Sequence, residues 1–250
     1  MELPTFDISL FLLMLTVLVA GVARGLAGFG TGMIVAPVAG AIYGPKAAVV
    51  IVVIMDLLPS IPVTIPAFRI AAWREVLPVL AGMTVFVPAG VWIVSHAPEL
   101  SLRLAIAAAI LLCAVALWRG WRYSGPRDLP KSFGVGAVAG VLSGLAQIPG
   151  PPVLAYWLAS PLSAAVIRAN LLTLFFLSTF ITIVTLHLSG LFTTEATAIG
   201  AVVTPVYFAG VLTGWAFYGR TSDHRYRQIT LGLVVLSAVL SLPWRELLSM

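Results

Sequence analysis

Two polar interruptions in an otherwise apolar sequence hold the residues best suited to bind a ligand. The first is Arg24-Gly-Leu-Ala-Gly-Phe-Gly-Thr-Gly32, and the second is Gly144-Leu-Ala-Gln-Ile-Pro-Gly-Pro-Pro152. Each glycine costs about 1 kcal/mol relative to alanine inside a helix, so glycine-rich stretches favour an unwound backbone. Unwound backbone brings N–H groups close to a ligand, and a helix that starts after it presents a positive dipole end. Together these features predict an anion site.

The candidate substrate ligands lie in the two interruptions and in the apolar segments that follow the second. They combine backbone N–H groups, guanidinium and amide donors, and aromatic rings: Arg24, Gly28, Phe29, Gly30, Gly32, Gln147, Gly150, Tyr156, Trp157, Arg168 and Asn170. An arginine within a membrane helix costs about 2.5–3.5 kcal/mol on insertion scales, which is tolerated for a partner, a pore or a substrate. A guanidinium also offers a planar fork of donors that matches oxyanion oxygens.

Each class of candidate also has a structural interpretation. Arg168 could extend its charged end to the cytoplasmic surface, because it lies only a few residues into its apolar segment. Gln147 and Asn170 could instead hydrogen-bond neighbouring helices. The three aromatic candidates could line the site as an apolar wall for an organic tail, or pack in the core or against lipid. The sequence leaves these alternatives open.

Asp56 is the sole acidic residue deep within an apolar run. It could relay protons and so couple transport to the proton gradient, or it could neutralise Arg24 or Arg168 in a structural ion pair. An acid that lines an anion site weakens binding unless it is protonated or paired. We therefore do not expect direct contact between Asp56 and a substrate.

Enzyme chemistry finds little support in the sequence. The three histidines fall near the ends of apolar segments, without a metal-binding spacing, and Cys113 is the only cysteine. A single cysteine can form neither an intramolecular disulfide nor a cysteine metal cluster. The glycines at 28 and 30 lack the final glycine of a dinucleotide fingerprint, and no Walker motif is present. We predict that the chain is not an enzyme and needs no metal or cofactor.

Composition places the chain in the membrane. Its 250 residues are 60% hydrophobic and only 9% charged, with a mean hydropathy of +1.08, whereas soluble domains carry about 25% charged residues. Repeated apolar runs of about 20 residues predict an all-α polytopic protein in a lipid bilayer. The net charge of +5 lies largely in loops, which indicates the positive-inside bias rather than nucleic-acid binding.

The apolar runs predict eight to ten hydrophobic segments in two halves. In the first half they are residues 8–23, 33–43, 47–67, 76–94 and 101–117. In the second half they are residues 133–145, 153–159, 164–188, 196–218 and 229–242. The run at 47–67 contains three prolines, which predict a bent helix. Gly136, Gly140 and Gly144 repeat every four residues, the pattern typical of close helix packing.

Charge placement predicts that the halves have opposite orientations. The basic loops at 119–131 and 219–228 are expected on the cytoplasmic side, which leaves both termini outside. We predict a first inverted repeat at 1–124, a cytoplasmic linker at 125–131 and a second repeat at 132–250. Each repeat would contain a broken-helix hairpin and three transmembrane helices. Broken helices at matching points of two such halves indicate a transporter's binding site.

The chain resembles the TauE/SafE family over essentially its whole length. The resemblance rests on Gly28-x-Gly30-x-Gly32 followed by Pro37, on the partial echo at 144–152, and on the two five-segment halves. Thr31 stands where the family signature commonly has a glycine. Glycines are also replaced in the second interruption, where the sequence has Gln147, Ile148 and Pro149.

The resemblance implies a secondary transporter of small sulfur-containing anions, sulfite or organosulfonates, in the bacterial inner membrane. It implies no metal cofactor. From the residues themselves we expect access to a site at the interface of the repeats to alternate between the two sides. The relay role of Asp56 would couple this transport to protons, and the chain could form a homo-oligomer. A passive anion channel for small oxyanions is the alternative, because it would share the same electrostatics.

Overall fold

The structure, a computed structural model, is entirely helical over the residues that it describes, which are 7–119, 125 and 127–218. Ten helices lie within these residues, and no strand does, which confirms the all-α class. They are α1 (Ile8–Ala27), α2 (Thr31–Tyr43), α3 (Pro45–Leu57), α4 (Ile61–Ile70), α5 (Trp73–His96), α6 (Glu99–Trp118), α7 (Leu129–Ala146), α8 (Gly150–Leu158), α9 (Ala164–Leu188) and α10 (Thr194–Tyr218).

Length and apolar composition make the protein a multi-pass membrane protein. Five helices, α1, α5, α7, α9 and α10, are long and apolar enough to cross a bilayer. Helices α3 and α4 form a further candidate span that is bent by 71° at a short break. The sequence predicts this bend from prolines, and Pro62 lies in the first turn of α4, where its missing N–H leaves no hydrogen bond unmade.

The first interruption is shorter than the sequence predicts. Helix α1 continues past residue 23 to Ala27, so Arg24 and the next three residues are helical. Gly28 ends α1 in the left-handed conformation with φ 83°, and Gly30 precedes α2 with φ 110°. These positive φ values favour glycine because it has no Cβ. The broken helix is therefore confirmed, but only residues 28–30 are unwound.

The second interruption is likewise limited to three residues. Helix α7 ends at Ala146, and α8 begins at Gly150 rather than at the predicted residue 153. Gln147 adopts φ 59°, and among the described residues it is the sole non-glycine with positive φ. Proline in the first turn of a helix is well tolerated, which allows Gly150-Pro151-Pro152 to be helical where the sequence predicts unwinding.

Other element boundaries differ from the predictions by a few residues. Helix α7 starts at Leu129, inside the predicted linker, because Asp128 caps it by accepting from the Lys131 backbone N–H at 3.1 Å. A hydrogen bond from the Lys131 side chain also holds the pKa of the Asp128 carboxyl below its ordinary value. Both termini, the basic loop at 219–228 and the segment at 229–242 lie wholly or partly outside the described residues.

Two pairs of parallel helices pack with their backbones in direct contact. In the pair α5–α7, Gly90 and Gly144 lie against each other, and a Cβ on either would collide with backbone of the opposite helix. In the pair α1–α10, Gly21 and Gly210 are placed in the same way. Small residues permit this approach in membranes. The predicted packing role of Gly136 and Gly140 is confirmed, since a Cβ there would meet backbone of α5.

Gly144→Ala should destabilise the protein, whereas Gly134→Ala on the same helix should not. The new Cβ at 144 would collide with the Val87 carbonyl oxygen, while nothing lies within 4 Å of a Cβ at 134. Overpacking of this kind costs about 1–3 kcal/mol, and alanine is about 1 kcal/mol better than glycine in a helix. Thermal unfolding in detergent measures both variants, and equal Tm values would contradict the packing described for α5 and α7.

Candidate functional site

The two interruptions meet inside the helical bundle. Gly32 lies directly against the backbone of Gln147, so that a Cβ on Gly32 would collide with the Gln147 carbonyl oxygen. A Cβ on Gly150 would lie 2.8 Å from the ring of Phe29. Between the interruptions is a cavity of about 30 Å³, enough for about two water molecules. The convergence that paired broken helices predict is therefore present.

Six of the eleven predicted ligands line this cavity. They are Arg24, Phe29, Gly30, Gly32, Gln147 and Gly150. Asp56, predicted as a proton relay or ion-pair partner, lines it as well. The remaining lining residues were not among the predicted ligands: Thr31, Met33, Val52, Ser143, Ile148, Pro149, Phe175, Ser178 and Thr179.

Arg24 is the buried cation of the site, with 3% of its surface exposed. One terminal nitrogen donates to the Gly28 carbonyl at 3.2 Å. The other contacts Asp56 Oδ2 at 3.2 Å and Ser60 Oγ at 3.4 Å, and the guanidinium lies over the ring of Phe175. Its Nε atom has no hydrogen-bond partner among the described residues. A buried, unpaired donor on a charged group is costly, so this atom is the one position on Arg24 that lacks a partner within the described residues.

Asp56 joins four elements through its two carboxylate oxygens. Oδ2 pairs with Arg24 of α1, while Oδ1 accepts from the Tyr207 hydroxyl of α10 and from Thr31 Oγ1 of α2 at 3.4 Å. The Thr31 and Tyr207 hydroxyls are 2.7 Å apart. Asp56 is 8% exposed. A buried carboxylate needs a counter-charge and hydrogen-bond donors, which these three side chains provide. The structure therefore contains the ion pair that the sequence gives as one of two alternatives.

The first turn of α2 presents free amides, whereas that of α8 presents few. No acceptor within the described residues takes the N–H groups of Thr31, Gly32 and Met33, and the first hydrogen-bonded amide of α2 is that of Ile34. In α8 the second and third residues are prolines, which have no N–H. The electrostatics of the site are thus asymmetric, because the α2 end provides most of the positive helix dipole and the donors.

Gln147 lies in the cavity wall in a conformation that glycine would adopt more easily. Its side-chain Nε2 donates to the Ser143 carbonyl at 2.7 Å, and its backbone N–H donates to the same carbonyl. These bonds close the last turn of α7. A non-glycine residue held at positive φ in a cavity wall favours a role for its side chain.

Arg168 does not line the cavity. Its Nε donates to the Leu26 carbonyl at 3.0 Å, another guanidinium nitrogen donates to the Gly25 carbonyl, and the group stacks on Tyr218 at 3.9 Å. Arg168 is 6% exposed, so its guanidinium is enclosed by the protein rather than extended into the surroundings. Arg168 instead satisfies carbonyls at the end of α1, which the interruption leaves without helical partners.

Four further predicted ligands do not line the cavity either, and one of them is Gly28, whose carbonyl accepts from Arg24. The Tyr156 hydroxyl is 2.7 Å from Ser132 Oγ, and its ring is under the Arg127 guanidinium. Trp157 is fully buried in the hydrophobic core, and Asn170 Oδ1 accepts from the Ala72 N–H at 2.7 Å. Of the predicted aromatic wall, Phe29 alone lines the cavity.

Comparison with known proteins relates the chain to one family over most of its length. The family model described as "Sulfite exporter TauE/SafE" matches residues 13–241. A relative described as "Probable sulfite/organosulfonate exporter TauE", from Cupriavidus necator, is 27% identical over 226 residues. The match covers 86% of this chain and 87% of that relative. No solved structure matches the chain.

Arg168→Lys should lower stability rather than ligand affinity. A lysine retains the charge but cannot reproduce the fork that reaches two carbonyls of α1. Leaving a buried carbonyl without its donor costs about 1–3 kcal/mol, measurable as a lower Tm in detergent.

The matched control is Arg103→Lys. Arg103 forms an exposed pair with Glu99, and such pairs contribute about 0.3–0.5 kcal/mol. An unchanged Tm for Arg168→Lys together with weakened anion binding would place Arg168 in the substrate site instead.

Proposed function

The chain belongs to the TauE/SafE family of membrane transporters, and from this premise we propose that it carries a small sulfur-containing anion, sulfite or an organosulfonate. The protein is a multi-pass transporter rather than an enzyme. The observation that supports an anion as substrate is Arg24, which lines a cavity between two broken helices and has a buried Nε without a hydrogen-bond partner among the described residues. Membership of the family and the name of the relative supply the sulfur chemistry.

The anion would be held by one guanidinium donor and by backbone amides. Arg24, whose Nε has no partner, and Thr31 and Gly32, whose N–H groups have no acceptor within the described residues, line the same small cavity. Donors fixed in a cavity of low dielectric bind an oxyanion strongly. They can therefore form an anion site in which Arg24 is the sole cationic side chain among the lining residues. The cavity volume of about 30 Å³ favours a compact anion such as sulfite. An organic tail longer than a methyl group would need Phe29 or Phe175 to move.

Two inverted repeats, 1–124 and 132–250, joined by the linker at 125–131, would provide alternating access. The matched packing of the halves supports this proposal. Gly25 of α1 approaches the backbone at Val211 of α10, and Gly144 of α7 approaches the backbone at Val87 of α5. In each case a Gly-Leu-Ala end of a broken helix packs on a helix of the other half. Inverted repeats place their site at such an interface.

The proposed orientation places the linker in the cytoplasm and both termini outside, in a bacterial inner membrane. Contacts among the helix ends are consistent with two opposite faces. Lys46 Nζ donates to the Ser95 carbonyl at 2.8 Å, which joins the start of α3 to the end of α5 on one face. Arg127 of the linker pairs with Glu75 at 3.6 Å on the other. The excess of basic residues at 119–131 assigns the latter face to the inside.

Arg24→Lys should reduce sulfite binding and flux by about tenfold to a hundredfold. Lysine retains one positive charge for Asp56 but offers no Nε donor to the cavity, and a hydrogen bond to a charged group contributes about 1.5–3 kcal/mol. The measurement is uptake of labelled sulfite into proteoliposomes, with Arg103→Lys as the control for an arginine outside the cavity. Normal flux in a stably folded Arg24→Lys protein would remove the main support for the site.

Kinetics distinguish the transporter from a passive channel. A transporter that alternates between two states should show flux that saturates with sulfite concentration and that accelerates when unlabelled sulfite is present on the opposite side. An anion channel would show neither behaviour. Linear flux without this acceleration would therefore favour the channel.

Gln147→Gly should leave stability nearly unchanged and weaken anion binding. Glycine removes the free-energy cost of the left-handed backbone, about 1–2 kcal/mol. It also makes the unfolded chain more flexible, which lowers the free energy of unfolding by about 0.4–1 kcal/mol. The side-chain amide would then be missing from the cavity wall. Thermal unfolding and sulfite affinity of the same preparation test this, and an unchanged affinity would limit Gln147 to closing α7.

A further inference from the structure

The cavity between the interruptions contains a balanced pair of charges. Among the residues that the structure places around it, Arg24 and Asp56 alone carry formal charge, and they pair at 3.2 Å. Their net charge is zero before any substrate enters. A buried charge without a counter-charge is expensive because the surroundings solvate it poorly. The charge of the bound substrate is therefore constrained by this pair.

The electrostatic cost of binding beside this pair differs between a dianion and a monoanion. A dianion would bring two negative charges to a site with no spare cation. A monoanion would bring one, and a single proton on Asp56 would neutralise it while releasing the Arg24 guanidinium. Helix dipoles add only a partial charge of about half a unit, which cannot replace a full cation.

We propose that the cavity takes a singly charged oxyanion and that its binding is linked to uptake of one proton by Asp56. This inference rests on the proposed function, since it specifies the charge of that substrate. The proton comes from the aqueous phase and forms an O–H bond on the carboxylate. No bond of the anion breaks, and the net charge of Arg24, Asp56 and anion returns to zero.

The surroundings of Asp56 can accommodate the protonated form. Arg24 of α1 is the charged group that faces it, and Tyr207 of α10 is the titratable group. Helix α2 contributes the neutral hydroxyl of Thr31 to the same cluster, and the break between α3 and α4 contributes that of Ser60. Helices α7 and α9 present no charged residue to the cavity. A hydroxyl can turn from donor to acceptor, so Thr31 or Tyr207 can accept a hydrogen bond from protonated Oδ1.

The linkage fixes the direction of the pH dependence. An anion a few ångströms from Asp56 favours the protonated carboxyl, and the protonated carboxyl favours the anion by the same factor. Because protons are taken up on binding, the affinity for a monoanion should rise as the pH falls. An anion that is fully ionised throughout the range isolates this effect from its own titration.

Methanesulfonate and sulfate form a matched pair for the test, since both are tetrahedral and differ in charge. Isothermal titration of the purified full-length protein in two buffers with different ionisation enthalpies gives the number of protons taken up. We expect methanesulfonate to bind more than about tenfold tighter than sulfate, with uptake approaching one proton. Equal affinities, or binding of methanesulfonate without proton uptake, would overturn the inference.

Two variants locate the proton on Asp56. Asp56→Asn should bind methanesulfonate without proton uptake and with an affinity that no longer depends on pH. Glu195→Gln, an exposed acid outside the cavity, should retain the wild-type proton count. Proton uptake that persists in Asp56→Asn would overturn the assignment. If that variant does not fold, the buffer comparison on the wild-type protein still decides whether a proton is taken up.

The inference and the proposed function fail in different ways. Saturable sulfite flux combined with no proton uptake, or with equal binding of sulfate, would contradict the charge rule and leave the transporter intact. Absence of both flux and binding for every sulfur anion would contradict the proposed function itself. Sulfite binding without methanesulfonate binding would also overturn the charge rule, because the site would then select something other than charge.

Discussion

A helix interrupted inside a membrane leaves backbone N–H and C=O groups that only the protein can satisfy. At the first interruption the described part of the chain satisfies the carbonyl groups of α1 and not the amide groups of α2. Two arginines satisfy the carbonyl end of α1: Arg24 donates to Gly28, and Arg168 donates to Gly25 and Leu26. The amide end of α2 has no such partners within the described residues. Carbonyls are thus occupied and amides left available, which is the polarity that an anion requires.

The second interruption completes the cavity by shape more than by charge. Prolines at the start of α8 remove N–H donors, and Gln147 uses its own amide groups to close the last turn of α7. Its backbone carbonyl lies against Gly32, so the two unwound segments position each other. The site consequently takes its positive character from one half of the chain and part of its wall from the other.

Much of this fold follows from the sequence because its causes are local. Apolar length predicts the spans, and glycine or proline predicts where helices break. The exact ends differ because capping decides them, as Gly28 shows by extending α1 to Ala27. The contacts of Arg168, Tyr207 and Phe175 could not be predicted, since each depends on which helices adjoin in three dimensions. Thr31 could have been predicted as a residue of the site, because it is a hydroxyl side chain within the glycine-rich pattern.

The glycine-lined contact between α1 and α10 can form only after α10 has been synthesised. Helix α1 precedes α10 in the chain, and the helix that fills its glycine face is made nearly two hundred residues later. Arg168, which satisfies the α1 carbonyls, also comes late. The nascent chain must therefore hold α1 unpaired in the translocon or in lipid, with the early Arg24–Asp56 pair masking its most costly charge until the second half arrives.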